Sequence, residues 1–148
     1  MFRKIYNYFN KRNLKDNKYL FLFDEPNDEE FVCFDCETTG LDPKIDDIIS
    51  IGAVIIKNNT IVSSKKFVRF VKPKTDLQAD AIKIHHIRVC DLTNAGDIDN
   101  MIIEFLEFIG NRTIVGYFLE FDINMINKYL KPMLGIKLPN KALEVSAI

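Results

Sequence analysis

Phe31-Val32-Cys33-Phe34-Asp35-Cys36-Glu37-Thr38-Thr39-Gly40-Leu41-Asp42-Pro43 is the stretch on which the reading of this chain turns. Its first four residues are an unbroken apolar run of β-formers, which predicts a short strand buried on both faces. Leu41-Asp42-Pro43 supplies turn chemistry at the other end. Between them stand Asp35 and Glu37, two positions apart. The side-chain period of a strand is two, so both carboxylates project from one face at the strand's end. Paired acids at the edge of an apolar core repel each other. The usual remedies are a raised pKa, an arginine partner or a metal ion. A divalent cation suits hard oxygen ligands of this kind.

The same period disposes of a rival reading. Cys33 and Cys36 form a C-x-x-C pair, but side chains three apart on a strand point to opposite faces and cannot chelate one ion. Together with Cys90 they are expected to be free thiols in a chain without an export signal.

Further along, Ile48 to Ile56 reads as a second strand, with Gly52 as a bulge or close-approach point. Lys57-Asn58-Asn59-Thr60 is a hairpin turn, and Ile61 to Val71 a third strand that ends before Pro73. The period then changes. Ile98, Met101, Ile102, Phe105, Leu106 and Ile109 form one helical stripe, capped by Asp97 or Asp99 and closed by Gly110. A short strand, Thr113 to Gly116, follows. Phe121, Met125, Ile126, Tyr129 and Leu130 then form a second stripe, stopped by Pro132. The order βββαβα predicts an α/β fold, a mixed central β-sheet flanked by helices. If the Thr113–Gly116 strand lies beside the first strand, its end carries Asp122 toward Asp35 and Glu37, because ligand sites collect at such strand ends. Taken alone, Asp122 reads as a helix N-cap.

Charge divides the chain. Residues 1–20 hold six basic residues (Arg3, Lys4, Lys11, Arg12, Lys15, Lys18) and one acid, Asp16, whereas residues 24–30 hold five acids around Pro26. The expected organisation is a basic amphipathic arm plus acidic linker over 1–30 and the main domain over 31–148. In the arm, Phe2, Ile5, Tyr6 and Phe9 have helical spacing. Such a helix either meets nucleic acid or a partner, or lays its apolar stripe on the domain with its lysines in water. The second is the expectation. The whole chain of 148 residues suits one domain, and its 47% apolar content suffices for a core. A net charge of −1 gives no general affinity for nucleic acid. No apolar run is long enough for a membrane span and no signal peptide is evident, so a cytoplasmic location is expected.

The motifs together resemble a known family. Phe34 to Pro43 resembles the first motif of the DEDD 3'→5' exonucleases (DEDDh type), and Val115-Gly116-Tyr117-Phe118-Leu119-Glu120-Phe121-Asp122 resembles the second. Phe70-Val71-Lys72-Pro73 and Ile84-His85-His86-Ile87 look like the segments between them. Within the family, the motifs are most similar to the proofreading epsilon subunits of bacterial DNA polymerase III. The resemblance implies an RNase H-like fold, two Mg²⁺ or Mn²⁺ ions, and hydrolysis of phosphodiester bonds at DNA 3' ends in proofreading or repair. It implies that Asp35 bridges both ions, that Glu37 holds one of them and that Asp122 holds the other. It implies that Thr38, Thr39, Gly40 and Leu41 cradle the terminal nucleotide. The implied partners are single-stranded or frayed DNA ends and a DNA polymerase subunit.

The sequence also departs from that pattern. The family's third motif, an Asp preceded five positions earlier by a His general base (H-x4-D), belongs after Asp122. There this sequence has neither residue type. A formal H-x4-D, His86 to Asp91, lies between the first two motifs instead. His85 matches a family His, and His86 stands where relatives carry Gly. The general base is therefore unassigned, with His85 and His86 as the remaining candidates. Tyr117-Phe118 replaces a frequent His-Asn. The expectation is a domain without its C-terminal helix, weakly active or inactive by itself. The alternative is a degenerate binding module that holds a DNA end or a polymerase without cutting.

Overall fold

A computed structural model describes residues 1–77 and 79–147. The first apolar run becomes strand β1 (Glu30–Thr38), followed by β2 (Ile48–Lys57) and β3 (Thr60–Phe70). The three pair antiparallel as a meander. Helix α3 (Ile98–Ile109), strand β4 (Thr113–Gly116) and helix α4 (Leu119–Leu134) follow as the two stripes and the short strand predict. Upstream lie α1 (Phe2–Arg12) and a short helix α2 (Ala79–His85), and β5 (Ala142–Glu144) lies near the end. The sheet order is β3-β2-β1-β4-β5, with β4 parallel to β1 and β5 parallel to β4. The sheet is therefore mixed, with β1 in the centre.

The core sits under one face of that sheet. In α3 the residues Ile98, Met101, Ile102, Phe105, Leu106 and Ile109 are all buried, and Asp97 caps the helix by accepting from Asp99 N and Asn100 N. The Phe105 ring lies 5.0 Å from Phe34 and 5.8 Å from Phe67, which joins α3 to β1 and β3. Such tilted aromatic pairs add about 0.5–1.5 kcal/mol beyond area burial. Gly116 ends β4 where a Cβ would stand 2.8 Å from Leu119 Cδ1, so glycine lets the chain turn tightly into α4.

Several expectations need correction. Strand β1 is not buried on both faces: Val32, Phe34 and Cys36 are buried, whereas Phe31 and Cys33 are only half-buried. Gly52 is no bulge. It pairs in register with Asp35, and the irregularities fall at Glu37/Thr38 and Val54/Ile55. Pro132 does not stop α4, which runs to Leu134 and closes on Gly135 in the left-handed conformation (φ 78°). So near the helix end, proline forfeits only its own hydrogen bond. Cys33, Cys36 and Cys90 are free, as expected.

The largest correction concerns α1. Its apolar stripe does not dock. Asn10 is the buried residue, giving Nδ2 to Lys137 O (2.8 Å) and accepting Lys137 N (3.1 Å). Asn7 and Arg3 donate to Pro139 O. Phe2, Ile5, Tyr6 and Phe9 face outward. The next segment, a 3-10 turn over Asn17–Phe23, sends Tyr19 and Leu22 into the core.

Candidate functional site

The parallel pairing of β1 and β4 builds the site. Its register ends at Cys33↔Val115, and Gly116 then turns the chain away. Beyond that point the β1 edge is open, and the Cys36 N–H would have no strand partner. Asp122, in the first turn of α4, fills the gap: its Oδ1 accepts the Cys36 N–H at 2.9 Å. Asp122 is therefore not an N-cap. Phe118 holds that position, in the left-handed region (φ 51°) and without a side-chain cap of its own. Glu144 of β5 supplies the cap instead, accepting Phe118 N (3.0 Å) and Leu119 N (2.7 Å). A carboxylate at a helix N-terminus also complements the helix dipole.

The topology thus brings Asp35, Glu37 and Asp122 to one end of the sheet. Asp35 is exposed, Glu37 half-buried and Asp122 buried. Burial raises the pKa of Asp35. Burial and then the charge of Asp35 raise that of Glu37, with His85 opposing. Burial pushes Asp122 up to about 6; the Cys36 N–H pulls it down and the Asp35 charge adds to the rise. Glu37 and Asp122 both feel the charge of Asp35, and among the described residues no hydrogen bond or ion pair compensates Asp35 or Glu37. Gly52, opposite Asp35, has nothing within 4 Å of where a Cβ would stand. Three desolvated carboxylates with a clear approach fit a hard divalent cation. They converge without being preassembled: among the described residues, no three His, Cys, Asp or Glu side chains are grouped so as to hold an ion.

A cavity of about 260 Å³ adjoins them, lined by Glu37, Thr38, Gly40, Leu41, His85 and Phe121 among others. Thr38 turns its hydroxyl to Gly40 O (2.7 Å). Thr39, expected in the cradle, does not line it. Thr39 is fully buried, and its hydroxyl bonds Asp46, Thr75 and the Asp47 N–H. Leu41, 80% exposed, is free to meet a ligand.

The two histidines separate. Nδ1 of His85 accepts the Ile87 N–H (2.9 Å), which places a neutral ring's proton on Nε2. That nitrogen is buried without a partner. His85 thus lines the cavity with its Nε2 unengaged. His86 is exposed, and Asp91 is engaged by Arg88 (3.3 Å), so the formal H-x4-D gathers no site. His86 sits at φ 60°, in the left-handed region that glycine adopts without strain. His86→Gly is expected to stabilise the fold by about 1 kcal/mol, raising Tm by about 2–4 °C. A lower Tm in thermal melts would mean that the imidazole has a packing role.

Sequence reasoning missed the support of the cradle. Asp47 accepts from Tyr129 Oη (2.9 Å), Lys128 Nζ (3.2 Å), Thr75 N (2.8 Å) and Lys74 N (3.0 Å). Its own carbonyl accepts the Thr39 N–H (2.9 Å). It therefore ties α4 to the Thr38–Leu41 turn. Two adjacent acids immediately before an apolar strand were the available signal. Glu144 was also missed. Tyr117 and Phe118, each 64% exposed, meet edge-on with centroids 4.5 Å apart beside it.

Comparison with known proteins agrees with this geometry. A family model for exonucleases (RNase T type) matches residues 32–146. The DNA polymerase III PolC-type protein of Clostridium perfringens is 37% identical over 121 residues, 82% of this chain but 8% of that protein. The DNA polymerase III subunit epsilon of Aquifex aeolicus is 35% identical over 116 residues, 78% of this chain and 56% of that one. The chain thus spans about half, or far less, of these relatives. The zinc-bound E. coli exonuclease I complex with single-stranded DNA superposes with a TM-score of 0.68 at 18% identity, over 80% of this chain and 28% of that one. That likeness shows the fold, and the expected α/β, RNase H-like architecture is present.

Proposed function

Because this chain belongs to the exonuclease family, we propose that it removes nucleotides from the 3' ends of DNA. The observation that carries the proposal is the approach of Asp122 to Asp35 and Glu37, which have no hydrogen bond or ion pair among the described residues, beside a cavity that could seat a nucleotide. Asp35 and Glu37 on β1 and Asp122 on α4 would hold divalent cations, Mg²⁺ or Mn²⁺. Such ions generate a hydroxide nucleophile and neutralise charge on the phosphoryl group. The chain's own residues would do the rest. Leu41 and Phe121 bind the terminal nucleotide's apolar faces. Gly40 lets its backbone approach the sugar closely. His85 donates Nε2–H to an acceptor in the cavity, a bond it otherwise lacks. Shape and backbone contacts of this kind carry little sequence information, which suits a processing enzyme. Single-stranded or frayed ends are the substrates in this reading, in proofreading or repair, and a DNA polymerase subunit is the natural partner.

A second reading is a module that holds a DNA end without cutting it. The absence of a preassembled three-ligand group among the described residues favours it. Mn²⁺ titration against a 3'-labelled single-stranded oligonucleotide separates the two. A ladder of products from the 3' end, lost in Asp35→Ala, is expected. DNA binding without any ladder would put the second reading in its place.

A further inference from the structure

α1 meets the domain with its polar side. Asn10, Asn7 and Arg3 bond the backbone at 137 and 139. Its other side leaves Phe2, Ile5, Tyr6, Tyr8 and Phe9 between 51% and 84% exposed. Turning the helix over would bury several of these side chains, each worth about 1.5–3 kcal/mol when fully buried. The fold forgoes that gain and presents the rings to solvent.

Cations surround those rings. Lys4, Lys11 and Arg12 lie on the helix itself, with the Arg12 guanidinium 6.0 Å from the Tyr8 centroid. Tyr6 and Phe9 also form one wall of a groove of about 150 Å³ whose other wall carries Lys131 and Lys137, and no acid lines it. The nearest carboxylates are accounted for. Glu25 pairs with Arg3 and Lys4, and Asp16 caps the turn that follows α1. The charge of this face calls for an anionic ligand. Its four rings suit flat, apolar groups on that ligand.

We propose that the α1 face, with Lys131 and Lys137, is a second binding site for single-stranded nucleic acid. Bases stack on the rings, and phosphates meet the lysines and Arg12, the combination used wherever single strands are held without sequence preference. The site lies at the far end of α4 from the carboxylates. Sixteen helical residues span about 24 Å at 1.5 Å each. That this strand is the one whose 3' end enters the catalytic cavity rests on the exonuclease reading above; the binding itself does not. The basic arm over 1–30 is then a strand-holding element attached to the 31–148 domain.

Anisotropy of labelled oligothymidylates, five and twenty nucleotides long, tests this in EDTA. In Tyr6→Ala/Phe9→Ala, affinity for the long strand is expected to fall at least about tenfold. In Lys4→Ala/Lys11→Ala, the slope of log affinity against log salt is expected to flatten by about 1.4, or about 0.7 for each phosphate no longer neutralised. The short strand, which the α1 face can hold by itself, is expected to weaken in the same variants, with the far-UV circular dichroism of the parent retained in both. Unchanged binding of the long strand in both variants overturns the proposal. So does binding of vesicles containing phosphatidylglycerol without binding of the long strand, which would make the face a lipid-binding surface. A parent protein that cuts neither strand, yet binds the long one through α1, would sink the exonuclease reading and leave this one standing.

Discussion

Asp122→Asn is expected to lower 3'-end hydrolysis by about 100-fold or more while making the protein more stable. Losing a charged ligand removes part of a metal contribution of several kcal/mol, and each 1.36 kcal/mol is about tenfold in rate. The fold should survive, because the asparagine oxygen can still accept the Cys36 N–H that Asp122 now accepts at 2.9 Å. Stability moves the other way. Burial, chiefly, holds the Asp122 carboxyl at about 6, above its ordinary 3.8. The folded state therefore binds this proton more tightly than the unfolded state. The group's stabilising contribution is complete below its unfolded value and is lost as pH rises through about 6. Melting curves of wild type and Asp122→Asn should accordingly converge below pH 3.8 and draw apart from there up to about pH 6, with the variant higher and the gap constant above that. A variant that still cuts DNA normally would remove Asp122 from the ligand set.

The largest effect on stability is expected from Asp47→Ala. The Asp47 side chain is 9% exposed and receives hydrogen bonds from Lys74, Thr75, Lys128 and Tyr129. Alanine leaves Lys74, Thr75 and Tyr129 without this acceptor, while the Lys128 ammonium keeps the Asp46 carbonyl (2.6 Å). Leaving several such donors unsatisfied costs about 1–3 kcal/mol each, about 3–5 kcal/mol together. For a chain of this size that is a fall in Tm of about 6–20 °C. The pH dependence is opposite to that of Asp122. Burial alone would raise Asp47, but hydrogen bonds from Tyr129, Thr75 and Lys128 outweigh it and hold the carboxyl at about 2, below 3.8. Its contribution is present above the unfolded value and lost as pH falls through about 2. Asp47→Asn should flatten the melting profile in that window. Because the carboxylate also holds Thr75, whose hydroxyl meets that of Thr39 at 3.0 Å, the alanine variant should raise KM for the oligonucleotide. A Tm change below about 2 °C would show that the Asp47 network is dispensable.

Periodicity made much of this molecule legible. The apolar run from Phe31 and the stripe from Ile98 to Ile109 were enough to place β1 and α3, although the run was read as buried on both faces and alternates instead. Asp35 and Glu37 followed from the strand period, and the approach of Asp122 from the parallel β1–β4 pairing. The rest depended on contacts between distant residues. β5 is three residues long and holds its place through pairing with β4, so no local pattern marks it. α2 is seven residues, too short to show a repeated stripe. Asp47 looks like an ordinary loop acid until Lys128 and Tyr129 arrive from more than 80 positions away. In α1 the stripe was visible, but its orientation was not. Orientation was decided by Asn10 and the backbone at Lys137, and hydropathy does not register amide pairing.

The clasp between Asn10 and Lys137 joins residues 127 positions apart. A ribosome adding about 5–20 residues per second needs about 6–25 s to cover that distance. For that interval the nascent helix has no surface to rest on, since Leu134, Lys137 and Pro139 do not yet exist. A helix made before the rest of the domain is thus among the last elements to be fastened to it. Fastening it hides almost none of its aromatic rings, so a chaperone that reads exposed apolar side chains would meet the same stripe before and after. What tells the finished protein from the unfinished one at this end is a small set of hydrogen bonds from Arg3, Asn7 and Asn10 to the backbone at 137 and 139.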